Sequence, residues 1–189
     1  MKNKPLLLAI IYSVIYIGAT LYFYFSQQLP AFKMVYVISM AAVLPFVILT
    51  IKIQRDSVYQ GIISGKEAAK EGMKFVLYSA LILGAFQIAF FYGGWRDFKI
   101  ETIPGFYRAW VDSLSADDKV KYFEVGTQKV MARLSPAQIE KFREELIQKN
   151  IAIQIEGITV FKEFTGVFFR LFFAGLFSSF LAALFLKRK

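Results

Sequence analysis

Arg170 is the single charge within the apolar run 164–186. An arginine near the middle of a bilayer costs at least ~2.5 kcal/mol on insertion scales, so a guanidinium held there is a candidate for a task. It can pair with a buried polar group, for which Gln87 in another apolar run is suited, or hold the phosphate of a lipid. A plainer reading competes. Arg170 lies near the start of its run, and helical side chains lean towards the amino-terminal end. The guanidinium can then snorkel to headgroups at that surface, and this is the favoured reading.

Other chemistry is scarce. The chain has no histidine and no cysteine. Imidazole bases, thiol nucleophiles, thiolate metal sites and disulfides are therefore excluded together. Asp117 with Asp118, and Glu144 with Glu145, are adjacent acid pairs. Helix starts and solvated faces account for such pairs, and nothing in the sequence supplies a cleft that would perturb them. No glycine-rich phosphate loop or nucleophile elbow is present. The expectation is a protein that is not an enzyme, with no catalytic residues, no cofactor and no metal.

Small residues make the second constellation. Ala174, Ser178 and Ala182 recur at every fourth position, beside Gly175, Ser179 and Ala183. Rows of small side chains let helix backbones approach, and interfaces between membrane helices are enriched in them. These six residues are the expected helix-packing seam, within the bundle or against another subunit. Ala80 and Gly84 form a shorter row.

The elements that carry these residues follow from hydropathy. Of the 189 residues, 57% are hydrophobic, above the ~45–50% of ordinary soluble domains. The excess is concentrated in runs 5–25, 34–51, 75–95 and 164–186. A helix needs ~20 mostly apolar residues to cross the hydrocarbon core. The fold expected is an all-α integral membrane protein of four transmembrane helices. Pro45 falls inside the second and is expected to kink it. The division is 1–95, carrying the first three helices and a basic segment 52–74; 96–163, a mainly helical loop domain; and 164–189, the fourth helix with a basic tail.

Net charge is +9. The acids and bases of 96–163 balance, so the excess lies beside the apolar runs. It comprises Lys2, Lys4, Lys52, Arg55, Lys66, Lys70, Lys74, Lys187, Arg188 and Lys189. Charge so placed sets topology and meets anionic headgroups, and nucleic acid is not the expected partner. Both termini and the 52–74 segment are expected on the cytoplasmic side, with 96–163 outside. Ser64 with Glu67 forms a capping box that starts the third helix before the bilayer. The helix start with Lys66, Lys70 and Lys74 reads as a solvated face, or else as a contact for lipid phosphates or a partner.

Within 96–163, Ser115 with Asp118 and Ser135 with Gln138 mark two helix starts, consistent with an αα-hairpin. Phe106, Trp110, Val111 and Leu114 make an aromatic stripe suited to a membrane surface or to packing within the domain. Alternation in Phe98–Ile100 and in Ile151–Ile155 predicts two short paired strands.

The whole pattern resembles a bacterial family of small membrane proteins catalogued as domain of unknown function 4199. The likeness rests on the four runs, on Gln60-Gly61-Ile62-Ile63-Ser64-Gly65-Lys66-Glu67-Ala68 leading into the third, on the charged helical insert, and on a small-residue fourth helix ending in Lys187-Arg188-Lys189. The family implies no activity and no site residues. The functional expectation is a non-catalytic accessory or structural subunit of a larger assembly in the bacterial inner membrane. Its partners would be lipids and other integral membrane proteins. The alternative is a small channel or lipid-handling protein, with Arg170, Gln87 and the Pro45 kink along its route.

Overall fold

The computed structural model describes residues 3–27, 31–115, 118 and 135–186. Among these the chain is helical, with no strand. It divides into two compact units, Met1–Tyr92 with Val160–Lys189, and Gly93–Thr159.

The first unit is a bundle of four helices: α1 (Lys4–Phe25), α2 (Ala31–Ser57), α3 (Gly65–Phe90) and α6 (Val160–Leu186). Each belongs to a helical run long and apolar enough to cross a membrane. Pro5 opens α1 at a position where its missing N–H costs nothing. The Ser64 capping box opens α3: Glu67 N–H donates to Ser64 Oγ at 3.2 Å, and Ser64 N–H donates to the Glu67 carboxylate at 3.1 Å. Pro45 sits inside an unbroken α2.

The bundle interior is filled by Tyr12, Val43, Val47, Ile51, Phe75, Ala80, Leu83 and Leu171. Tyr12 ties three helices together. Its hydroxyl donates to the Ser39 carbonyl at 3.0 Å, and its ring meets Phe46 and Phe75 edge-on, with centroids 5.3 and 5.7 Å away. Large apolar side chains also face outward. Val14, Ile15, Val37, Ile38, Phe173 and Phe177 are all exposed, while Ser13, Thr50, Gln54, Ser79, Gln87 and Ser179 are buried.

Past Phe90 the helix widens into a π turn, Phe91–Trp95, and leaves helical geometry at Gly93 and Gly94. Gly94 has φ 112°, a conformation that side-chain-bearing residues rarely adopt.

The second unit holds α4 (Arg96–Ser113) and α5 (Pro136–Glu156), which pack together. The Arg108 guanidinium forks onto both oxygens of Glu144. The Ser135 capping box starts α5, with Gln138 N–H donating to Ser135 Oγ at 3.4 Å and Ser135 N–H to Gln138 Oε1 at 2.8 Å. The two predicted strands do not exist. Phe98–Ile100 lies in α4 and Ile151–Ile155 in α5. Trp95 stacks on Phe98 three residues on, at 5.4 Å, a helical neighbour and not a strand neighbour. The helix expected to start at Ser115 lies outside the described residues, apart from Ser115 and Asp118. There Asp118 N–H donates to Ser115 Oγ at 3.1 Å. The basic tail 187–189 also lies outside them.

One boundary moves. The fourth apolar helix begins at Val160, not 164, and so takes Lys162 and Glu163 into its first turn.

Candidate functional site

Two polar clusters stand at opposite ends of the bundle, joined by a close-packed seam. The first is built on the opening turns of α6. Residues 163, 166 and 170 fall on one face at helical spacing. Gly166 leaves the space that the Arg170 side chain folds into, because a methyl on Gly166 would lie 3.2 Å from Arg170 Nη2. Arg170 Nε–H donates back to the Gly166 carbonyl. The guanidinium thus reaches towards the amino-terminal end of its helix, and it covers the Tyr36 ring of α2 at 4.4 Å. Tyr36 is within electrostatic reach of both Arg170 and Glu163, and Tyr16 of α1 within reach of Tyr36 and Arg170.

Gln87 of α3 is buried, and its Nε2 donates to Glu163 at 3.3 Å. Gln87 therefore meets Glu163 and not Arg170, the partner suggested for it from sequence. All four helices contribute a polar group here. The sequence signal that was missed is the 163/166/170 spacing, which becomes visible only once the helix is started at Val160. The Arg170 guanidinium remains exposed. The arrangement can hold an anion or orient a tyrosine hydroxyl.

The second cluster lies where α2 ends and α3 begins. Glu71 is 4% exposed, in contrast to the solvated face expected of this helix start. Its carboxylate accepts from Lys74 Nζ at 2.7 Å and from the Tyr59 hydroxyl at 3.2 Å. Burial pushes the Tyr59 hydroxyl above its ordinary range, and the Glu71 charge adds to the effect. Lys74 is thus engaged within the chain, whereas Lys66 and Lys70 are exposed.

Between the clusters, α3 and α6 run antiparallel in close contact. Gly175, Ser178, Ser179, Ala182 and Ala183 are buried, and Ala174 is half-buried. A methyl added at Gly175 would fall 2.2 Å from Val76 Cγ2. One at Gly72 would fall 2.7 Å from Ser179 Oγ, and one at Gly84 would fall 2.6 Å from the Phe164 ring. The row of small residues on α6 thus meets α3 of its own bundle.

Among the described residues no three acids gather where they could hold a metal ion. Among the described residues the chain is all-helical, with four helices of membrane-spanning length and composition. Comparison with protein-family models, curated proteins and solved structures yields no match.

Proposed function

We propose that the chain is a multi-pass protein of a bacterial inner membrane, acting as a non-catalytic accessory or structural subunit of a larger membrane assembly. The observation that carries the reading is the stripe on α6. Phe169, Phe173, Phe177, Phe180 and Leu184 recur every three or four residues and are 51–71% exposed. In water such a stripe would drive aggregation. In a bilayer it offers a rigid aromatic face to lipid or to a neighbouring helix. The filled interior speaks against a water-filled route through the bundle.

The orientation proposed has both termini and the α2–α3 junction in the cytoplasm and residues 96–163 in the periplasm, on the distribution of lysine and arginine. The short motifs quoted above support membership of the family catalogued as domain of unknown function 4199.

Purification of tagged protein from native membranes in mild detergent tests the subunit reading. A reproducible integral membrane partner is the expected result. Monodisperse protein alone, across several detergents and after in-membrane crosslinking, would refute it. A second reading, lipid handling, is favoured by the exposed Arg170 guanidinium over Tyr36. Lipid transfer between vesicles, abolished by Arg170→Leu, would move the assignment there.

A further inference from the structure

At the end of the bundle where α6 finishes, a groove of about 530 Å³ opens between α3 and α6. Ligand sites commonly occupy ~300–1,000 Å³. Its walls are Gly65, Lys66, Ala69, Phe180, Ala183 and Leu184. The hollow exists because small residues face one another here, while Phe180 and Leu184 stand out on its flanks at 59% and 64% exposure.

The charge at this groove is of one sign. Residues 67, 71 and 74 share one face of α3, and residues 66 and 70 share another. On the first face Lys74 is bound to Glu71. On the second, Lys66 lines the groove and forms no ion pair among the described residues. Lys70, one turn on, is exposed. Three further basic residues, Lys187, Arg188 and Lys189, follow α6 in the sequence. Apolar walls select an occupant with hydrocarbon, and an unpaired lysine at the groove selects one with negative charge. Both lie at the end that the basic residues assign to the cytoplasmic leaflet, where anionic lipids are enriched.

We propose that this groove binds one anionic phospholipid, with its phosphate on Lys66 and an acyl chain along Ala69 and Ala183 between Phe180 and Leu184. The site rests on the membrane-spanning reading and not on the accessory-subunit reading.

The test is native mass spectrometry of the full-length protein in detergent, given equal amounts of phosphatidylglycerol and phosphatidylcholine with identical chains. One phosphatidylglycerol retained in preference is the expected result. Lys66→Gln, an exposed change that leaves packing intact, should weaken retention about fivefold, the value of one lysine near an anionic surface. Ala69→Phe, which fills the hollow, should remove the bound lipid while circular dichroism stays unchanged. Lys52→Gln, a charge lost elsewhere at the same end, should have no effect.

Equal retention of the two lipids, or retention indifferent to both Lys66→Gln and Ala69→Phe, would overturn the site. So would a lipid-free dimer that Ala69→Phe dissociates, since the groove would then be filled by a second copy. Selective retention by a chain that purifies without any protein partner would sink the subunit reading and leave the lipid site standing. A chain that stays dissolved without detergent would sink the site together with the membrane reading beneath it.

Discussion

Replacing Gly175 by alanine adds one methyl, and the packing around it sets the consequence. The new carbon would lie 2.2 Å from Val76 Cγ2, 2.4 Å from Cγ1 and 2.8 Å from Cβ. Carbon atoms in good contact are ~3.5–4.0 Å apart. Rotating Val76 brings no relief, since both γ-carbons and the β-carbon are already too close, and β-branched side chains in helices hold one rotamer. The helices must therefore separate. Separation also loosens the contact of Gly72 with Ser179 one turn away.

Overpacking of this kind costs ~1–3 kcal/mol, and the rigidity of the site places Gly175→Ala at the upper end. That is roughly a hundredfold loss in the folded-to-unfolded ratio. Val76→Ala removes the two nearest offending atoms. The double variant should consequently be more stable than additivity allows, with a coupling of about 1 kcal/mol or more. Reversible unfolding in mixed micelles, titrated with sodium dodecyl sulfate and followed by helical circular dichroism, measures all three variants. Gly18→Ala is the control, because nothing lies within 4 Å of a methyl there. If Gly175→Ala proves as stable as the parent, or its cost is indifferent to Val76→Ala, the reasoning fails.

Arg170→Gln and Tyr36→Leu should show a coupling of ~0.5–2 kcal/mol in the same assay, the range of a cation over an aromatic face, and strict additivity would remove that contact. Gln87→Leu should cost ~1.5–3 kcal/mol through the lost hydrogen bond to Glu163, while a neutral result would mean that the bond does not form in the folded protein. The bonds from Gln148, and next from Arg108, hold the Glu144 carboxyl below the usual carboxylate range. The contribution of the Arg108–Glu144 contact to α4–α5 pairing is therefore complete above the ordinary value of ~4.3 and disappears as pH falls through the depressed one. The protection of α4 and α5 amides from hydrogen exchange, taken relative to the intrinsic rate at each pH, should fall over that acidic window, and Glu144→Gln should abolish this change in protection.

Composition and run length located the four apolar helices, because nothing but hydrophobic spacing is needed to mark them. The Ser64 and Ser135 capping boxes were legible for a related reason: each is a local contract between residues three apart. What failed depended on context. Ile151, Ile153 and Ile155 alternate over too few residues to outweigh a helix already propagating from Ser135, since extending a helix is easier than starting one. Their exposures show that alternation marked no face, for Ile151 is buried and Ile153 is 54% exposed. Starting α6 at Phe164 discarded Glu163 as loop, and with it the partner of Gln87. Glu71 looked like one more solvated charge because a residue that bonds it, Tyr59, lies in the turn before α3, well beyond one helical turn away. The contact of Arg170 with Tyr36 joins positions far apart in sequence and leaves no local trace.

The contact between α3 and α6 also governs which parts of the bundle can move. Glycine on one helix meets a larger side chain on the other, and the glycine changes sides along the line: Gly72 against Ser179, Gly175 against Val76, Gly84 against Phe164. A shift of either helix by one turn would drive Val76 into Ser179 or Gly84 out of reach of its ring, so the pair engages like a key in its wards and cannot slide. The α3–α6 pair is therefore the part of the bundle held most firmly in register, and α2 is set against it, since a methyl on Gly72 would also lie 3.1 Å from Val47 Cγ1.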